Sequence, residues 1–220
     1  MGVSTPRDLS LWKKQLGRIP DYVWEQLELE TLVLGDNGLS EVPEQIGRLR
    51  KLRMLDLGHN QLTKVPEALG DLDGLTDFLY LHDNRLSSLP RSLGRLTKLR
   101  YLNISKNGFA VFPEAVTGLA SLIELRMEDN QIASIPDSVG NLSHLRELHL
   151  RNNQLTSLPK SIGKLGELRQ MDLRGNPLIS LPASIGKLPR LEKLDLRWVE
   201  DLAFPEWISD LESRGCAVYC

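Results

Sequence analysis

The sequence predicts an α/β fold of one kind: a right-handed solenoid with a parallel concave β-sheet and short helical or irregular convex segments. Three observations carry that expectation. The asparagines Asn37, Asn60, Asn84, Asn107, Asn130, Asn153 and Asn176 follow one another at steps of 23, 24, 23, 23, 23 and 23 residues. Nine of the twelve prolines, from Pro20 to Pro205, keep the same step. Around them recurs the unit LxxLxLxxNxLxxLPxxIGxLxx, as in LRELHLRNNQLTSLPKSIGKLGE at 145–167. A fixed period of this length means stacked units, each burying its apolar face on the next.

Each position of the unit has a physical reason. The two leucines of LxL stand two residues apart, so both point to one face of a short strand. The Asn follows, where the backbone must turn, and its amide offers donors and an acceptor to backbone groups left unpaired by the bend. Pro in LPxxIGxL fixes φ and brings no N–H, which suits the start of a short helical or irregular turn. Ile46, Leu69, Leu93, Val116, Val139, Ile162, Ile185 and Ile208, with the Leu three residues after each, close the core from the convex side.

Seven full repeats are expected over residues 29–190, between degenerate capping repeats at 1–28 and 191–220. In the first end unit Lys14 stands where the Asn belongs, and in the last Val199 does. All four tryptophans, Trp12, Trp24, Trp198 and Trp207, fall in these end units, where large aromatics are expected to cover an otherwise open core. Residues 216–219 are expected to add a last strand that blunts the sheet edge.

This unit is the leucine-rich repeat pattern, and it covers almost the whole chain. With LPxxIGxL it resembles the repeats of the Ras-suppressor protein, the Scribble and Erbin scaffolds, and the plant intracellular Ras-group-related proteins. Many bacterial leucine-rich repeat proteins, some secreted effectors among them, use a similar unit. The resemblance implies a non-enzymatic protein-binding scaffold. It lies in the core framework, so no GTPase-binding residue carries over.

The 220 residues include 27 basic and 29 acidic side chains, for a net charge of −2. That balance gives no electrostatic reason to expect nucleic acid or an anionic membrane as partner. No signal peptide, membrane span or lipidation start is expected: the position that myristoylation needs as Ser or Thr is Pro6, and Cys220 is terminal. Cys216 and Cys220 are expected as free thiols, which fits a reducing, cytoplasmic setting. No phosphate loop appears, since each IG runs on into the core leucine instead of GK[ST]. No cofactor or metal is expected, because His59, His82, His144 and His149 show no ligand spacing along the chain. His59, His82, Asp56 and Asp83 fall on neighbouring units, a grouping that a surface with 25% charged residues produces by chance.

A partner, expected to be a protein, would meet the strand side chains that face away from the core, about 4.8 Å from row to row. Just before the two leucines stand Met54, Phe78, Tyr101, Glu124 and Glu147; between them Asp56, Tyr80, Asn103, Arg126 and His149; just after them Gly58, His82, Ser105, Glu128, Arg151, Arg174 and Arg197. Met54, Phe78, Tyr80, His82 and Tyr101 form an amphipathic aromatic patch, and large aromatics there resemble binding anchors. Arg126, Arg151, Arg174 and Arg197 complete the expected partner-binding set, although the ladder of Arg151, Arg174 and Arg197 beside Asp172 and Asp195 reads more simply as neighbouring charges neutralising one another. The segment GLTDFLYLHDN at 74–84 is one residue longer than its counterparts. That residue is either a bulge that re-aims Phe78 and Tyr80 or neutral loop variation. The expected protein is a monomeric adaptor; an effector-like protein and a regulatory subunit of a GTPase, kinase or phosphatase are the alternatives.

Overall fold

The computed structural model describes residues 7–220. The expectations about a leader and a myristoylation start fall on residues 1–6 and lie outside the described residues.

Ten three-residue strands form one parallel sheet in strict chain order. They are β1 (Asp8–Ser10), β2 (Thr31–Val33), β3 (Met54–Asp56), β4 (Phe78–Tyr80), β5 (Tyr101–Asn103), β6 (Glu124–Arg126), β7 (Glu147–His149), β8 (Gln170–Asp172), β9 (Lys193–Asp195) and β10 (Ala217–Tyr219). The leucine-rich repeat solenoid expected from the period is therefore the fold. The central Leu or Met of β2 to β9 is buried, while the flanking residues of most strands stay partly open, as alternation across a strand requires. The first seven return paths are five-residue 3-10 helices, such as Glu44–Arg48, begun by proline: the Pro43 carbonyl accepts the Ile46 N–H at 3.1 Å; the eighth, Ile185–Lys187, has three residues. One apolar core runs unbroken from Ile19 to Cys216.

The asparagines join neighbouring coils. Nδ2 of Asn130 donates to the carbonyls of Ile104 (3.1 Å), Met127 (3.1 Å) and Glu128 (3.2 Å), and Oδ1 accepts from the Phe109 N–H (3.2 Å). One side chain thus satisfies backbone groups in two successive turns. The residue before each Asn turns left-handed: Asp36, His59, Asp83, Lys106, Asp129 and Asn152 have φ between 53° and 55°, and Gly175 has φ 62°. Asp, Asn and His tolerate that region better than most side chains do, a regularity that the sequence reading passed over. The side chain at this position is directed out of the core, which matters for His59 below.

The end units depart from expectation in one respect. Trp24 is buried, and Trp207 packs partly buried against the core above Gly186. Trp12 and Trp198, expected to cover the core, are 55% and 66% exposed. The reason is position within the unit: Trp12 occupies the concave column after the strand leucines, and Trp198 (φ 62°) the left-handed position. The expected last strand forms, as β10 pairs parallel with β9, and helix α1 (Trp207–Ser213) replaces the usual 3-10 return. Both cysteines are free, Cys216 buried and Cys220 exposed.

The residue extra to the fourth unit does not bulge the strand. Register stays one-to-one on both sides, Met54↔Phe78↔Tyr101 and Asp56↔Tyr80↔Asn103. The surplus is absorbed just before β4. There the N–H groups of Asp77 and Phe78 keep the pairing with the Arg53 carbonyl that other units show at this point, while in the next unit the Arg100 N–H takes the carbonyl of Thr76. Gly74 allows this path, since a Cβ at that position would lie 2.2 Å from the Arg50 carbonyl oxygen. The outcome is a carboxylate placed at the edge of the concave face, with Asp77 3.0 Å from the Arg53 guanidinium.

Candidate functional site

The expected aromatic residues meet on the concave face. Phe78 and Tyr80 lie near-parallel with ring centroids 5.9 Å apart, and Tyr101 packs against both, at 5.4 and 5.1 Å. Tyr80 continues edge-on to His82 at 5.9 Å, and His82 to His59 at 4.7 Å. Met54 sits beside Phe78 in register. Phe78 is 42% exposed; Tyr80, Met54 and Tyr101 are half-buried by one another and by neighbouring rows. A cleft of about 400 Å³ opens beside the patch, lined by Arg53, Asp77, Phe78, Arg100, Tyr101, Ile123 and Glu124. Its walls are apolar rings and charges of both signs, the mixture that anchors one large side chain and orients its polar tip.

Burial leaves its mark on these phenols. Tyr101 is pushed up to about 12, first by desolvation, with the Glu124 carboxylate and Tyr80 adding to the effect against Arg126. Tyr80 is raised as well, by burial and then by Asp56 and Glu124. The sign for stability follows. A folded-state pKa above the unfolded value favours the neutral ring, a contribution fully present below pH ~10 and lost as pH rises through about 12. In an alkaline ultraviolet titration of the four tyrosines, one step is expected near pH 12, absent from Tyr101→Phe. An unchanged last step in that variant would remove Tyr101 from the desolvated position.

The basic residues stand otherwise. Arg126 hydrogen-bonds Glu124 at 2.5 Å, and Arg151 lies 3.3 Å from Asp129. Arg174 grips Asp172 with two hydrogen bonds (2.8 and 2.6 Å), and Arg197 grips Asp195 likewise (2.9 and 2.7 Å). Asp195 is fully buried. Burial works to raise its pKa, but the hydrogen bonds from Arg197 and the charge of Arg174 outweigh it and hold the carboxyl below its ordinary value. The ladder of Arg174 and Arg197 is thus matched within the chain, as the simpler of the two sequence readings has it. Their guanidinium groups also flank the exposed ring of Trp198, at 5.7 and 5.8 Å.

Linear spacing concealed groupings that could hold an ion. Glu124, Glu147 and His149 bring ligand atoms within 4.8 Å of one another, as do Glu128, His149 and Asp172. The signal was available, because residues one repeat apart become neighbours in a stacked solenoid. In these two groups Arg126 and Arg174 already neutralise Glu124 and Asp172.

Rows of strand side chains on an open stacked sheet define a class of protein, the repeat scaffold. Leucine rich repeat family models match residues 27–78 and 77–132, and a leucine-rich repeat region model matches 134–213. The chain belongs to the leucine-rich repeat family, whose arrays are in general protein–protein interaction scaffolds. No curated protein matches the sequence. Among solved structures, it is similar to a leucine-rich repeat protein of Leptospira interrogans, with 27% identity, TM-score 0.74, and coverage of 94% of this chain and 64% of that one. It is also similar to the ectodomain of the Arabidopsis thaliana membrane receptor kinase GASSHO1/SCHENGEN3, solved in complex with Casparian strip integrity factor 2. There identity is 32% and TM-score 0.80, over 96% of this chain and 26% of that one. The leucine-rich repeat domain of the type III effector XopL shares the fold, with 24% identity and TM-score 0.86 over 99% of this chain and 77% of that one. The chain therefore spans less than two thirds of the Leptospira protein and about a quarter of the receptor ectodomain. Among the described residues no helix is long and apolar enough to cross a membrane.

Proposed function

We propose that this chain is a non-catalytic adaptor that binds one protein partner on its concave face. The contacts centre on Met54, Phe78, Tyr80, His82 and Tyr101. The observation that carries this reading is the contiguous ring cluster beside a 400 Å³ cleft of mixed charge. Clustered rings that remain accessible on a rigid sheet lose little side-chain freedom when covered, and such residues dominate interface energies. Arg126, one strand beyond Tyr101, and Arg151 steer approach, whereas Arg174 and Arg197 contribute less because each is held to its carboxylate by two hydrogen bonds. Residues 29–190 supply the binding surface, and the units at 1–28 and 191–220 close its ends. The protein works as a monomer in a reducing, cytoplasmic setting, with both thiols free. The plant ectodomain solved in complex with Casparian strip integrity factor 2 supports the idea that a scaffold of this build binds a partner.

Immobilised wild-type protein and Phe78→Ala, exposed in parallel to the same extract, give the test. The protein retained by wild type should be lost from the variant by a margin of at least ~2 kcal/mol. Arg151→Ala should keep the same protein but flatten the salt dependence of its association. Equal capture by wild type and Phe78→Ala would contradict the reading. Mass spectrometry of the retained protein also separates an adaptor from an effector-like protein or a docking subunit of an enzyme.

A further inference from the structure

At the margin of the aromatic patch two imidazoles meet. His59 and His82 stand one repeat apart, and their Nε2 atoms are 3.2 Å from each other. Three features fix that meeting. His59 occupies the left-handed position before Asn60 (φ 53°), and its backbone N–H donates to the His82 carbonyl at 3.0 Å. Its Nδ1 lies 2.6 Å from Asp83 Oδ2; a carboxylate only accepts, so Nδ1 carries the proton and the lone pair is left on Nε2, facing His82. The His82 ring rests over Gly58, where a Cβ would come within 2.4 Å of its Cε1. The absence of a side chain at 58 is what gives the ring its seat.

We propose that His59 and His82 form a two-imidazole site for a divalent transition-metal ion, Zn²⁺ or Cu²⁺, bound through both Nε2 atoms with Asp83 behind His59. Two nitrogens each about 2.05 Å from a tetrahedral ion stand about 3.3 Å apart, close to the observed separation of 3.2 Å. As a hydrogen bond the same distance sits at the long end of the ordinary range. The carboxylate on the far nitrogen of His59 is the recurrent device that fixes the tautomer of a metal-bound imidazole and raises its basicity. Imidazole pairs favour Zn²⁺, Cu²⁺ and Ni²⁺ over the oxygen-seeking Mg²⁺ and Ca²⁺. A four-coordinate ion would have two further positions, open to water or to a side chain of whatever covers the adjoining patch. The groups around His149 are weaker candidates, because an ion there must displace Arg126 or Arg174.

The test is calorimetric titration of the untagged full chain with zinc chloride alone, with the imidazole proton signals followed by NMR. Saturable binding of one ion is expected, moving the His59 and His82 signals and leaving His144 in place. His59→Ala or His82→Ala should abolish it, and Asp83→Asn should weaken it about 10–100-fold. The side chains of His59 and Asp83 are 52% and 49% exposed, so variants at these two positions keep the test sound even if His82→Ala disturbs the sheet. Absence of saturable binding, undiminished binding in His59→Ala, or loss confined to His149→Ala would overturn the assignment, the last by placing the ion among Glu124, Glu147 and His149.

Discussion

Asn130→Ala is expected to lower the stability of the whole chain by about 3 kcal/mol, at the upper end of what an unsatisfied buried group costs. The side chain is 7% exposed, and removing it leaves the carbonyls of Ile104, Met127 and Glu128 and the N–H of Phe109 without that partner. The damage extends past one coil, because these groups belong to two successive turns and every coil takes its packing from its neighbours. Lys14→Ala is the matched control. Lys14 stands at the equivalent position of the first unit, yet it is its backbone N–H that is held, by Asn37 Oδ1 at 2.9 Å. The exposed side chain should contribute no more than about 0.5 kcal/mol. Urea denaturation of the two variants checks this, and equal losses would contradict the bridging role of the asparagines.

A chain ending at Arg190 should be insoluble or aggregated. Such a protein lacks β9, α1 and β10, which cover Met171, Leu173, Leu178 and Ile185, all at most 1% exposed in the full chain. Uncovering a side chain of that size costs about 1.5–3 kcal/mol, and the new edge strand β8 would offer unpaired backbone groups to other copies. The proposed capping role of residues 191–220 rests on this cover, given by Leu194, Leu196, Leu202 and Leu211 together with Trp207. A truncated protein that is monomeric in size-exclusion chromatography and melts with the full chain would contradict that role.

The framework was legible because it is written many times over. A period that repeats through the chain fixes strand, turn and return path, and period-2 alternation then says which side chains face the concave surface. That was enough to bring Phe78, Tyr80, Tyr101 and His82 together before any coordinate. What stayed hidden depends on rotamers and on space between rows. Arg174 and Arg197 could reach outward to a partner or back to Asp172 and Asp195, and spacing alone does not choose between those directions. The seat of the His82 ring depends on a missing side chain at Gly58, one row away. The extra residue near Phe78 was visible as an insertion, but where the chain absorbs it depends on Gly74 passing close to the Arg50 carbonyl. Trp12 and Trp198 were assigned by size and location in the chain, when their column within the unit was the better guide.

Tyr80→Ala, examined for melting and for partner binding in the same preparation, tests the central claim most directly. Tyr80 lies at the middle of the ring cluster, touching Phe78, Tyr101 and His82, but its ring is outside the leucine core. The expected result is a melting temperature within about 2–4 °C of wild type, which for a chain of this size is ~1 kcal/mol or less, with affinity for the captured protein weaker by at least ~2 kcal/mol. A variant that melts much lower while binding its partner as wild type does would show that the ring supports the fold, and that the concave aromatic patch is not where the partner docks.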